Sequence, residues 1–213
     1  MPENVFTQNC GFFDSEEGDV REYGELEFNR YFDAIYRSGV SVDSSGAMTL
    51  KVTGGTGAVS VAVGFAIVQG YYFYNPTAQS LTVSAPASNS RIDRVVVRLD
   101  KAAKTVALAV RAGTAAASPS APALQRSGDI YELSLAQVRV TSAGAITVTD
   151  ERPLDAVCGV IRPRYLTGYD EMVETYQEQW QRWFEGQQAT GWRHIYIQDA
   201  QPSDPEVGSI WMQ

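Results

Sequence analysis

The sequence predicts a mainly β protein with two helices (α+β): an antiparallel β-sandwich or barrel-like domain, an N-terminal amphipathic helix before it and a C-terminal coiled-coil-like helix after it. Three observations predict this. Apolar residues recur with helical spacing in one early window, alternate with period 2 in short runs through the middle of the chain, and return as an aromatic heptad near the end. With 213 residues, 44% of them hydrophobic and 20% charged, the chain can bury a sizeable core and has ordinary globular composition. The expected organisation is an arm and amphipathic helix over 1–41, a β-sandwich domain over 42–165, an oligomerisation helix over 166–190 and a β tail over 191–213.

In GELEFNRYFDAIYRSG, the residues Phe28, Tyr31, Phe32, Ile35 and Tyr36 fall at i, i+3, i+4, i+7 and i+8, one apolar stripe of a helix. The spacing predicts a helix from Gly24 to Ser38, with Gly39 closing it as a residue free to take positive φ.

From Val42 the period changes. Val59, Val61 and Val63 alternate with small residues, Val95, Val97 and Leu99 alternate with Arg94, Val96 and Arg98, and Val106, Leu108 and Val110 repeat the pattern. Hairpin turns are expected at Asn75 to Gln79, at Asp100 to Lys104 and at Ser142 to Gly144, giving sequential antiparallel pairing. In YELSLAQVRV the apolar phase slips from Leu133 and Leu135 to Val138 and Val140. One extra residue would restore the facing, so a β-bulge is predicted there. The stretch GTAAASPSAPALQRSGD has little apolar bulk and no periodicity, and is expected to be a long exposed loop, either reaching a neighbouring subunit or simply solvated.

The second helix carries Tyr169, Val173, Tyr176, Trp180 and Trp183 at spacings of 4, 3, 4 and 3. That spacing keeps one seam facing a partner in a left-handed coiled coil, so these five residues are the candidate oligomer interface; packing back on the β domain is the competing reading. The tail GWRHIYIQDAQPSDPEVGSIWMQ offers an alternating run at Ile195 to Ile197 and a final strand-like segment, read as docked because an uncovered strand invites association.

Composition narrows the function. The net charge is −8 and no stretch concentrates Lys or Arg, which removes nucleic acid from the expected partners. The segment MPENVFTQNCGFFDSEEGD has neither the basic nor the apolar region of a secretory leader, so synthesis in a cytosol is expected. The longest apolar run, Val59 to Tyr74, is broken by Gly64, Gln69 and Gly70, and no membrane span is expected.

No arrangement for chemistry emerges. His194 is the only histidine and no G-x-S-x-G is present, so a structural or interface role is expected for it. Asp93 and Asp100, seven apart on a strand, face opposite ways and cannot form a hydrolytic pair. The acidic cluster Asp14, Glu16, Glu17 and Asp19 lacks the order of a calcium loop, and Gly54-Gly55-Thr56-Gly57 lacks the Lys-Ser/Thr of a phosphate loop and reads as a turn. Cys10 and Cys158 are expected to be buried thiols. Tyr71, Tyr72, Trp192 and Trp211 are read as core or interface anchors, with stacking on sugars as the alternative. For a glycan-binding module the contact residues would be Trp192, Tyr196 and Trp211. No catalytic residue, cofactor or metal is expected, and the protein is not expected to be an enzyme.

A run of phrases then carries a resemblance: Gly11-Phe12-Phe13-Asp14-Ser15, Gly18 to Tyr23, Tyr36 to Val40, Gly64 to Tyr72, Arg91 to Asp100, Leu133 to Val138, Asp150-Glu151-Arg152-Pro153 and Cys158 to Ile161. Their order over residues 5 to 165 resembles bacteriophage tail and baseplate proteins, in particular the N-terminal module of baseplate or tail-fibre proteins. The resemblance implies an oligomer, expected to be a trimer, that forms part of the virion tail after synthesis in the bacterial host. Its implied partners are copies of itself and other tail or baseplate proteins such as fibres and receptor-binding proteins, with a host surface glycan as the alternative partner. Phe12, Phe13, Arg21 and Tyr23 would form the attachment arm, and Arg91 to Arg94 a salt-bridged start to a strand. No fibrous repeat or receptor-binding head follows residue 190, so an adaptor role is expected.

Overall fold

The structure, a computed structural model, describes residue 17 and residues 23–165, 167–190, 195–205 and 207–213, without the side chains of 167, 169, 170 and 188–190. It is mainly β with two helices, and the chain divides into two compact units, Met1–Arg164 and Tyr165–Gln213.

The first unit runs α1 (Glu25–Ile35), β1 (Gly39–Val40), β2 (Val52–Gly54), β3 (Ala58–Val61), β4 (Gly64–Val68), β5 (Tyr71–Asn75), β6 (Gln79–Thr82), β7 (Arg91–Asp100), β8 (Thr105–Arg111), β9 (Arg126–Ser127), β10 (Ile130–Val140) and β11 (Ile146–Asp150). Three antiparallel sheets, ordered β1-β4-β5, β2-β3-β6 and β11-β10-β7-β8 with β9 on β10, pack in a sandwich-like arrangement. The alternation seen in sequence sets their inner faces. Val59 and Val61, Ala66 and Val68, Val95, Val97 and Leu99, and Val138 and Val140 all lie in one buried cluster.

The first helix is shorter than its periodicity predicts. Gly24 caps it, its N–H donating to Glu27 Oε2 at 3.0 Å, but Tyr36 is already extended (φ −114°, ψ 142°) and bridges Pro163. Gly39 therefore does not close the helix. It lies in β1, where an added Cβ would stand 2.6 Å from the carbonyl carbon of Val160 and 2.7 Å from the oxygen of Gly159, so close backbone approach is what requires glycine. At Gly70 both reasons hold: φ is +82°, and a Cβ would stand 2.0 Å from Asn29 O where α1 rests on the β4–β5 turn. No residue of α1 is buried, so its aromatic stripe is only partly covered.

Two predicted hairpins form, β7–β8 around Asp100 and β10–β11 around Gly144. The third does not: β5 pairs β4, while β6 crosses to pair β3. Buried Asn75 marks the crossing, its Nδ2 donating to Ala62 O at 2.8 Å. The glycine run 54–57 is the turn of the β2–β3 hairpin. The bulge lies where the phase slip placed it, the β10–β7 register shifting between Ser134 and Ala136. The shift keeps Leu133, Ala136 and Val138 inward and sets Glu132, Ser134 and Gln137 opposite Arg98, Val96 and Arg94 on the other face.

That outer face corrects the expectation for the Ala/Ser/Pro stretch. Residues 112–125 are tied down along the sheet as a strap: Gly113 N donates to Asp93 Oδ1 at 2.9 Å, Ala116 N to Ser90 O at 3.1 Å and Gln125 N to Glu132 Oε2 at 2.8 Å, while Pro122 O accepts from Arg94 Nη1 at 2.8 Å.

In the second unit, α2 (Thr167–Thr190) precedes a two-stranded ribbon of β12 (Ile195–Ile197) and β13 (Ile210–Met212). The ribbon is parallel, so the last strand is paired by its own unit. Among the described residues no helix is long and apolar enough to cross a membrane.

Candidate interaction surfaces

On α2 the heptad spacing places Val173 and Trp180 at one core position and Tyr176 and Trp183 at the other. Val173 is half-buried, but Tyr176, Trp180 and Trp183 are 62, 59 and 53% exposed. Phe184 widens the surface by stacking on Trp180, the ring centroids 5.2 Å apart. Charged residues from Met172 onward are segregated from it. From Met172 onward the positions flanking the seam are Met172, Gln177, Gln179, Phe184 and Gly186, none charged, while Glu171, Glu174, Glu178 and Glu185 take the outer positions. There Arg182 donates to Glu178 at 3.0 Å and Gln181 to Glu185 at 3.0 Å, both i,i+4 pairs that support the isolated helix. The side chain of Tyr169, the fifth predicted seam residue, lies outside the described part.

Of the predicted attachment arm, Phe12, Phe13 and Arg21 lie outside the described residues, as do Cys10, His194 and the acidic cluster apart from Glu17. Tyr23 is half-buried just before α1. Of the predicted glycan contacts, Trp192 lies outside the described residues, but Tyr196 and Trp211 are brought together as register partners on one face of the ribbon. The indole Nε1 of Trp211 already donates to Gln198 O at 2.9 Å, so its stacking face rather than its N–H is on offer.

Sequence reasoning missed two surfaces. One is an apolar groove of about 460 Å³ between α1 and the β4–β5 hairpin, lined by Phe28, Phe32, Phe65, Ile67, Gly70 and Tyr72. Phe65 and Tyr72 stack at 6.0 Å, and Tyr72 and Tyr74 are exposed beside it. Tyr72 was visible in sequence, but the groove exists only because α1 docks on the hairpin.

The other is the polar layer beneath the strap. Glu132 is wholly buried and pairs with Arg98 at 2.6 Å and Arg111 at 2.5 Å. Burial pushes its carboxyl up, yet the Gln125 amide and the two guanidinium groups outweigh this and hold it below its ordinary value. Glu151 behaves alike: burial raises it, while Ser134, Gln137 and Arg94 together hold it low, Arg94 reaching both oxygens at 3.0 and 3.2 Å. Arg91 and Asp93 form the salt-bridged strand start at 2.8 Å, whereas the neighbouring Arg94 serves Glu151 instead. The signal for this layer was a set of charges embedded in otherwise apolar strands. Every buried side-chain polar atom among the described residues has a partner, so these carboxylates are engaged in holding strap to sheet. Cys158 is buried and unpaired, its thiol pushed up to about 12 chiefly by desolvation.

No protein-family model and no curated protein sequence matches this chain. Among solved structures, the crystal structure of the gene 22 product of the Bacillus subtilis SPP1 phage is similar over 53% of this chain and 81% of that chain. The TM-score is 0.35 and the sequence identity 9%, a likeness too slight to carry a functional argument.

Proposed function

We propose that this chain is a non-catalytic structural component of a bacteriophage tail tip or baseplate, which self-associates through α2 and connects the tail to neighbouring proteins such as fibres or receptor-binding proteins. The observation that carries the self-association is the seam on α2: Tyr176, Trp180 and Trp183 in heptad register, more than half exposed, with uncharged flanks from Met172 onward and Glu171, Glu174, Glu178 and Glu185 at the outer positions. Exposed aromatics at this spacing suit identical helices, because a homo-oligomer needs flanks that do not repel their own copies. The tail assignment is supported by the ordered phrases from Gly11 to Ile161 that resemble tail and baseplate proteins.

Native mass measurement at micromolar concentration tests the first half. A trimer that dissociates when Trp180 and Trp183 are both replaced by Ala is the expected result, and a monomeric wild-type chain would overturn it. Electron microscopy of tails assembled with a tagged chain tests the second half; label away from the tail tip would refute it. A second reading, a glycan-binding receptor module, is favoured by one observation, the side-by-side Tyr196 and Trp211. It predicts binding to host surface polysaccharide that Trp211→Ala abolishes, and silence across such polysaccharides would remove it.

A further inference from the structure

The ribbon of β12 and β13 is the least self-sufficient element described. It has two strands of three residues, and they are parallel. A lone two-stranded ribbon is marginal in water, and parallel pairs occur almost only where both faces are covered. The register Ile195↔Ile210 and Ile197↔Met212 places four apolar side chains on one face, and all four are between 44 and 80% exposed.

We propose that this face closes against the same face of further copies of this chain, so that the ribbon is a second oligomer contact clamping the C-terminal end of the α2 seam. The inference rests on the self-association reading above. Two observations favour a copy of the chain as occupant. First, the apolar seam stops at Trp183 and Phe184, and the next core positions are Gln187 and Thr190. Its apolar knobs span about two heptads, short of the three to four that sustain a coiled coil, so an oligomer held by α2 needs more apolar contact on that side. Second, β12 begins five positions after α2 ends. In a parallel bundle each copy therefore delivers its ribbon to the same end of the axis, where identical faces meet around the symmetry axis. The face itself carries no charge, while Asp199 and Asp204 lie on the connection between the strands, so copies can approach without repulsion at the contact.

The test uses the full chain in a Cys10→Ser background, with single cysteines introduced by Ile197→Cys on the proposed contact, Tyr196→Cys on the opposite face and Tyr176→Cys on the seam. After mild oxidation, Ile197→Cys and Tyr176→Cys should each join copies covalently on a non-reducing gel, and Tyr196→Cys should not. If Tyr176→Cys joins copies and Ile197→Cys does not, the ribbon inference falls and the seam stands. If neither joins copies and the native mass is that of a monomer, the self-association reading itself falls. As a non-covalent check, Ile197→Asp should raise the dissociation constant of the oligomer at least tenfold with circular dichroism unchanged; an unaltered constant would also overturn the inference.

Discussion

Glu132 shows how one side chain sets the behaviour of its surroundings. Its oxygens accept from Arg98, Arg111 and the strap amide of Gln125, so removing the carboxylate strands two guanidinium groups and a backbone donor together. Glu132→Ala should cost about 2–4 kcal/mol in urea unfolding, since a broken buried pair leaves uncompensated charge; a loss under about 1 kcal/mol would contradict this role. The acid limb follows from the sign of the shifts. Glu132, Asp150 and Glu151 are all held below their ordinary values in the fold, so their contribution is complete above the unfolded carboxyl value near 4.3 and is lost as pH falls through the lower folded values. The melting temperature should be flat from about pH 8 to 5, drop below about pH 4, and drop less steeply in Glu132→Gln. Cys158 gives the opposite case. With its thiol raised to about 12, the Cys10→Ser chain should resist a thiol reagent at pH 8 while folded and react with one equivalent once unfolded.

At the scale of elements, the strap and α1 reward different tests. By composition residues 112–125 are expected to form a long exposed loop, yet four of their backbone groups are tied to the sheet. Elastase, which cuts after small residues, should leave the alanine run intact in the wild type and cleave it in Glu132→Gln, where the Gln125 and arginine ties weaken. Cleavage at equal rates would show that the ties do not restrain the strap. The end of α1 carries a related lesson. Its stripe continues to Tyr36, but the backbone turns extended there because Tyr36 pairs with Pro163 and Arg37 N donates to Arg162 O at 2.8 Å. Periodicity could not reveal that stop, because both partners arrive from more than 120 positions away. Gly39→Ala, which would press a methyl into the Val160 and Gly159 backbone, should destabilise by about 1–3 kcal/mol in the same urea assay.

At the scale of the whole molecule, the two units divide the labour. The sandwich-like unit buries the core of its sheets and pairs its buried polar groups internally, while the α1 stripe and Tyr72 and Tyr74 stay exposed. The second unit keeps Tyr176, Trp180 and Trp183 and the Ile195 to Met212 ribbon face uncovered among its described residues. Association should therefore depend on concentration and on the second unit: Trp180→Ala with Trp183→Ala should lower the native mass while leaving the melting of the β unit within about 1 °C, a pair of readouts that separates assembly from folding. A coupled fall in both would show that the sandwich itself depends on the oligomer.

The fold class, both helices, the bulge and two of the hairpins were legible from spacing alone, because each follows from a local period in which neighbours a few positions apart must share a face. The sequence also laid out the α2 seam and singled out Cys158, since spacing and hydrophobicity suffice for those. Spacing could not reveal that β6 crosses to β3, that Gly39 is set by a distant backbone, that the strap lies on the sheet, or that Glu132 and Glu151 face Arg98, Arg111 and Arg94. Those features join residues from 7 positions apart, Gln125 and Glu132, to more than 100, Gly39 and Val160, and their energy comes from burial and charge pairing that exist only after the sheets have met.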